Sequence, residues 1–178
     1  MTVRIRTEGE ADRAAIHGVN RAAFGTLVEA DLVDVLRRKA PQFVSLVADV
    51  EGAIVGHIAF SKAWLTGRDD LSIMGLGPMA VAPDFQRKGI GSALVRAGLT
   101  SCKQLGCQAV VVLGHAEYYP RFGFSPANRY AIRCEYDVPD DVFMVVELEA
   151  GVLRGVSGWF VMTRRSRRRK QRTLWPTS

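Results

Sequence analysis

Apolar and polar residues alternate at the start of the chain, where Val3 and Ile5 interleave with Arg4 and Arg6, the period of a half-buried strand. Thr7-x-x-Glu10 then has the spacing of a capping box and predicts a helix start. Ile16, Val19, Ala23 and Phe24 recur at helical spacing. Val28, Leu32, Val35 and Leu36 repeat that pattern in a second helix that ends before Pro41. The period changes to that of strands over Phe43 to Asp49 and Ala53 to Trp64, joined through Val50-Glu51-Gly52 as a hairpin. After the turn Thr66 to Asp70, Leu71 to Val81 completes an antiparallel meander. Pro78 cannot donate to a ladder, so a bulge or a local splay is expected there, leaving backbone groups at Met79 and Val81 for an extended ligand.

Ile90 to about Leu105 reads as an amphipathic helix with Leu94, Val95, Leu99, Cys102 and Leu105 on its apolar side and Gly106 as its cap. The run Ala109 to Leu113 is apolar on both faces, as a buried parallel strand is. Strand-like runs follow around Ala131 to Tyr136 and at Phe143 to Leu148, with a late strand within Val156 to Met162. The chemistry concentrates where the meander passes into the long helix. The first amides of a helix lack intrahelical partners and, with the helix dipole, attract anions. The loop Gln86-Arg87-Lys88-Gly89-Ile90-Gly91 therefore reads as a seat for a pyrophosphate, with glycines for close backbone approach and two cations beside them. A plain strand-to-helix turn is the blander alternative. A Walker loop is absent, and the Rossmann spacing fails on Leu94; Gly75-x-Gly77-x-x-Ala80 fits that string but carries Pro78 and opens no helix.

Gln86-x-x-Gly89-x-Gly91 at a helix start, followed by Tyr119-Pro-Arg-Phe-Gly123-Phe124, resembles the GNAT superfamily of acetyl-CoA-dependent N-acetyltransferases. The likeness extends from about Val3 to Leu148 and is closest to members with Leu-Gly-Pro-x-Ala-Val in the central strand, here Leu76 to Val81. It implies an α/β (α+β) fold: a mixed, mostly antiparallel sheet of about six to seven strands flanked by helices, with a parallel, splayed pair in the centre. It further implies acetyl transfer to a primary amine by direct attack. Met79, Ala80 and Val81 would serve the thioester and pantetheine arm, and Gln86, Arg87, Lys88, Gly89, Ile90, Gly91 and Ser92 the diphosphate. Tyr119 is the candidate general acid, its phenol ordinarily titrating near an alkyl thiol, and His115 a candidate base. Tyr118 reads as a packing aromatic and His57 as structural. The first helical pair, including Phe24, Glu29 and Asp31, would border the acceptor, with a solvated acidic face the preferred alternative for the two carboxylates. The segment from Gly114 to Tyr119 is too short for the cofactor-contacting helix that many members carry there. The implied partners are acetyl-CoA and an amine, and a homodimer is compatible with them.

Composition adjusts this picture in three places. The net charge of +6 becomes about −1 without the seven Lys/Arg of Thr163 to Ser178, so the basic character belongs to a tail expected to be disordered. One N-acetyltransferase domain over 1–162 and a tail over 163–178 follow. The tail could bring nucleic acid to the protein, and a solvated charge run is the alternative. Cys102, Cys107 and Cys134 have neither metal-ligand nor redox spacing, so reduced, packed thiols and no metal are expected. Neither a signal peptide nor a membrane span is legible, which predicts a cytoplasmic protein without membrane partners. A non-catalytic acyl-CoA-binding module is the competing function.

Overall fold

The computed structural model describes residues Met1–Met162; the basic tail lies outside the described residues. Among the described residues, nine strands and three α-helices form in the order β1 (Val3–Thr7), α1 (Arg13–Phe24), α2 (Val28–Lys39), β2 (Phe43–Val50), β3 (Ala53–Leu65), β4 (Ile73–Val81), α3 (Ile90–Gln104), β5 (Ala109–Leu113), β6 (Ser125–Pro126), β7 (Ile132–Cys134), β8 (Phe143–Glu147) and β9 (Gly158–Val161). The sheet is mostly antiparallel, with β4 and β5 a parallel pair. Nine strands rather than six or seven appear because very short segments pair as well: β6 with β8, and β7 in parallel with β9. Among the described residues no helix is long and apolar enough to cross a membrane. The three cysteines are free thiols.

Two compact units divide the chain, and β3 and β4 contribute to both. The first comprises Met1–Ser61 and Leu76–Cys102. Its β2–β3 hairpin turns through Glu51 (φ 52°) and Gly52 (φ 89°), the paired left-handed residues that match the twist of the flanking strands. Helix α1 starts at Arg13, later than Thr7-x-x-Glu10 predicts, behind a 3-10 turn over Glu10–Asp12. Arg6 grips Asp12 at 2.6 and 2.9 Å, and Asp12 in turn accepts the Gly9 N–H at 2.6 Å, so the cap forms at Gly9 and Asp12. On α2 the buried face is Glu29, Ala30 and Val33, while Val28 and Val35 are exposed. Polar pairing rotates this helix away from its most apolar face: Glu29 accepts Thr26 Oγ1 at 2.5 Å, and Arg37 reaches Glu8 at 2.5 Å.

A directed chain of hydrogen bonds runs beneath these helices. Arg37 and Ser45 Oγ both donate to the Glu8 carboxylate, so Ser45 must accept from His57 Nε2 at 2.9 Å. His57 Nδ1 is then the acceptor for Asn20 Nδ2 at 3.1 Å. His57 is fully buried and neutral; burial lowers its pKa to about 4, partly offset by the charge of Glu8 and reinforced by Arg37. Because the folded pKa lies below the ordinary 6.5, this stabilisation is complete above pH 6.5 and is lost as pH falls toward 4. Burial raises the Glu8 pKa, but Arg37 and Ser45 outweigh it and set the carboxyl below its ordinary 4.5, so Glu8 adds its own loss only at lower pH. Urea unfolding at pH 6.5 and 4.5 should therefore show a loss of about 2–3 kcal/mol at the lower pH, and His57→Gln should flatten that slope. An equal slope in both proteins would refute it.

Helix α3 buries Ile90, Leu94, Val95, Gly98 and Cys102, whereas Leu105 is half exposed. The face is centred on Gly98 because the Phe60 ring lies against it: a Cβ there would sit 2.2 Å from Phe60 Cε2. Gly98→Ala gains about 1 kcal/mol of helix propensity but overpacks by about 1–3 kcal/mol. The expected outcome is a lower melting temperature, partly restored by adding Phe60→Leu.

The second unit comprises Lys62–Gly75 and the chain from Lys103 onward. Its core gathers Val111, Leu113, Phe143, Val145, Leu153 and Phe160. Glu147 caps the turn before β9, accepting the Leu153 N–H at 2.8 Å and the Gly151 N–H at 3.1 Å.

Candidate functional site

In the first unit, β4 ends beside β3 with the Ala82 N–H donating to Val55 O at 2.8 Å. Backbone polar groups alternate sides along a strand, so the amides of Met79 and Val81 face away from β3 while that of Ala80 faces it. Gln86 turns back on the same edge, its amide Nε2 donating to Val81 O at 3.0 Å. Gln86 thus ties the loop to the strand instead of projecting into the loop's concave face.

The loop itself is left-handed at Arg87 (φ 58°) and at Gly89 (φ 82°). A non-glycine residue in that region is uncommon and strained, and a run of such residues points successive amides the same way, as an anion-binding nest does. The Ala93 amide bonds back along α3 to Gly89 O at 3.0 Å, and the amides of Ile90 and Gly91 precede that bond at the helix start. A Cβ on Gly89 would meet nothing within 4 Å. Gly89 is therefore glycine for its backbone and for open space in front of it, and a phosphate group fits both. Lys88 is held on its own turn, Nζ donating to Asp84 O at 2.8 Å and lying 5.3 Å from the Phe85 ring centroid.

In the second unit, β5 runs out through Gly114 to His115, whose carbonyl accepts the amides of Tyr118 (3.0 Å) and Tyr119 (3.4 Å). His115 is exposed and Tyr119 is 7% exposed. Pro120 and Gly123 (φ 92°) shape a one-turn 3-10 helix, Tyr119–Phe122, in place of a longer helix. The Tyr119 ring packs edge-on against Phe124 (5.6 Å) and Tyr118 (5.1 Å), and its Cε2 side lies against Gly114, where a Cβ would lie 2.2 Å from Tyr119 Cε2. Gly114 is a positioning residue that the sequence reading passed over; a glycine ending an otherwise apolar strand was the available signal. Burial, with a smaller effect from Tyr118, pushes the Tyr119 phenol well above its ordinary value. The expected match between phenol and thiol is corrected accordingly: this hydroxyl keeps its proton. Tyr118 packs against Phe122 at 5.3 Å and under the Arg121 guanidinium at 4.6 Å, as a structural aromatic does.

The helical pair offers less acceptor-facing chemistry than its sequence suggests. Glu29 is 5% exposed and its carboxylate accepts the Thr26 hydroxyl, so it is tied into the start of α2. Asp31 pairs with His17 Nε2 at 3.3 Å. Among the described residues, no group of three His, Cys, Asp or Glu side chains could hold a metal ion.

Residues 12–124 match the model of the acetyltransferase (GNAT) family. The Escherichia coli K12 protein named "Uncharacterized N-acetyltransferase YjhQ" is 42% identical over 136 residues, 74% of this chain and 75% of its own. The E. coli N-acetyltransferase YhbS, solved in complex with CoA, superposes with a TM-score of 0.83 at 35% identity, covering 89% of this chain and 88% of its own. A GNAT family acetyltransferase from Brucella melitensis, solved with acetyl-CoA, superposes with a TM-score of 0.74 at 32% identity, covering 92% and 97%.

Proposed function

Because the chain belongs to the acetyltransferase (GNAT) family, we propose that residues 1–162 act as one domain that transfers an acetyl group from acetyl-CoA to a primary amine by direct attack. The observation that carries this reading is the run from Met79 to Ser92, where the end of β4, its Met79 and Val81 amides turned away from β3, leads into a left-handed loop and the start of α3. The relatives solved with CoA and acetyl-CoA support the choice of ligand.

The cosubstrate supplies an activated acetyl thioester, and the chain supplies the rest. The Met79 N–H donates to the carbonyl oxygen as negative charge develops on it, and Val81 pairs the pantetheine arm like an added strand while Ala80 holds the two in line against β3. Amides from Gly89 to Ser92 receive the diphosphate, beside the charges of Arg87 and Lys88, while Gln86 fixes the loop. Tyr119, held neutral by burial, donates a hydrogen bond to the departing sulfur. His115, exposed at the end of β5, takes the proton of the attacking amine directly or through water.

Thiol release from acetyl-CoA, measured against a panel of amines, polyamines, aminoglycosides and peptides, tests this. At least one amine should give turnover. Tight CoA binding with no thiol release across the panel would favour a non-catalytic acyl-CoA-binding module instead.

A further inference from the structure

Helix α2 is built inside out. Its inward side carries Glu29, which accepts the Thr26 hydroxyl, and Arg37, whose guanidinium is held by Glu8 at 2.5 Å and by Asp34 at 2.5 Å. Its outward side carries apolar residues: Leu27 at the N-cap is 49% exposed, Val28 53% and Val35 38%, with Leu32 half-buried between them. Among the described residues these are three of the six large apolar side chains that stand exposed, and the other three, Met1, Leu105 and Trp159, lie elsewhere in the chain. Val28, Leu32 and Val35 recur at i, i+4 and i+7, so they form one stripe along the helix. A lone exposed apolar residue needs no explanation, whereas an apolar stripe rimmed by charge marks an interaction surface.

The charges beside that stripe are ordered. Asp31 stands on one flank near the start of the helix, and Arg38, two turns on, stands on the same flank near its end, with Lys39 next to it. Asp31 meets His17 Nε2 at 3.3 Å, yet its side chain stays 68% exposed. Arg38 and Lys39 are exposed and enter no ion pair among the described residues. A second copy of such a helix, laid antiparallel, presents base to acid at both ends and apolar stripe to apolar stripe. A parallel copy would set like charges against each other. The face is thus complementary to itself, as a two-fold interface requires.

We propose that the outward face of α2 is a homodimer interface, in which α2 packs antiparallel on α2 of a second copy. Leu32 and Val35 would meet across the two-fold axis, and Asp31 of each copy would face Arg38 of the other. One helix from each side falls below the standard interface size, so the association is weak, with a Kd of the order of micromolar. The proposal is independent of acetyl transfer, because it concerns one face of the first unit alone.

Sedimentation velocity of the full chain from about 1 to about 200 µM brackets that range and reads the association directly. Val28→Ser with Val35→Ser should raise the dimer Kd about tenfold. Leu105→Ser, which removes an exposed apolar side chain beyond α3, should leave it in place. Asp31→Arg alone and Arg38→Glu alone should each raise it about tenfold, and an equimolar mixture of these two variants should dimerise as well as the parent, since each altered flank then meets its complement. A misfolded variant gives no such recovery on mixing, and both variant chains stay net positive, so no overall attraction imitates it. A parent that stays monomeric throughout would overturn the proposal and leave the face to a different partner. A mixture no more dimeric than its components, or loss of the dimer in Leu105→Ser, would overturn it as well.

Discussion

Tyr119→Phe is expected to lower kcat about a hundredfold or more while the Kd for CoA stays within about twofold. The hydroxyl is the only atom lost, and a positioned proton or hydrogen-bond donor contributes at least that much to a departing group. The ring keeps its packing on Phe124 and Tyr118, so stability should hardly move. Gly114→Ala should reproduce the kinetic loss by another route, since its Cβ would come 2.2 Å from Tyr119 Cε2 and force the ring off its seat. Overpacking there should also cost about 1–3 kcal/mol, which separates displacement of the ring from removal of its hydroxyl. Steady-state kinetics with the best amine of the panel, together with calorimetry of CoA, make the comparison. Parental kcat in Tyr119→Phe would exclude this residue from the chemistry.

Gly89→Val is expected to raise the Kd for CoA about a hundredfold. Two effects add. A β-branched residue at φ 82° strains the loop by about 1–3 kcal/mol, and its methyls would fill the open space above the amides of Ile90 and Gly91. The added atoms meet no protein neighbour, so melting should fall only by the strain. Gly89→Ala, with less bulk, should show a smaller increase. Calorimetric affinity equal to that of the parent in Gly89→Val would place the diphosphate elsewhere.

What the sequence conveyed well was local. Glu51-Gly52 encodes its own turn, Gly106 its own cap, and the apolar run Ala109 to Leu113 its own burial, because each depends on neighbours a few residues away. What it conveyed poorly was polar burial. Ranking positions by apolarity puts Val28 and Val35 of α2 inside, yet Glu29 is the buried neighbour, and Arg37 is held by Glu8, which lies 29 residues away in sequence. The same limit moved the start of α1, since only the folded chain brings Arg6 onto Asp12 and Asp49. At the candidate site, the need for glycine at the turn into α3 was legible, and Gly89 is left-handed there. The anchoring of Gln86 on Val81, and the dependence of Tyr119 on Gly114, arise from side chains folding back over the backbone.

The chain from Asn20 through His57 and Ser45 to Glu8 has a consequence for how the hairpin finds its alignment. Val47 stands opposite His57 and Ala59 opposite Ser45, so the histidine and the serine are diagonal neighbours. Sliding β2 past β3 by a single position would turn oily side chains to the wrong face, and hydrophobicity alone forbids it. A slide of two positions would keep every face correct and cost little in greasy contact. In the direction that sets Ser45 opposite Ser61, that shift would pull Ser45 off His57 and leave an imidazole, a hydroxyl and a carboxylate stranded out of water. Four polar side chains thus act as a vernier, distinguishing the true alignment from one that apolar packing alone would tolerate.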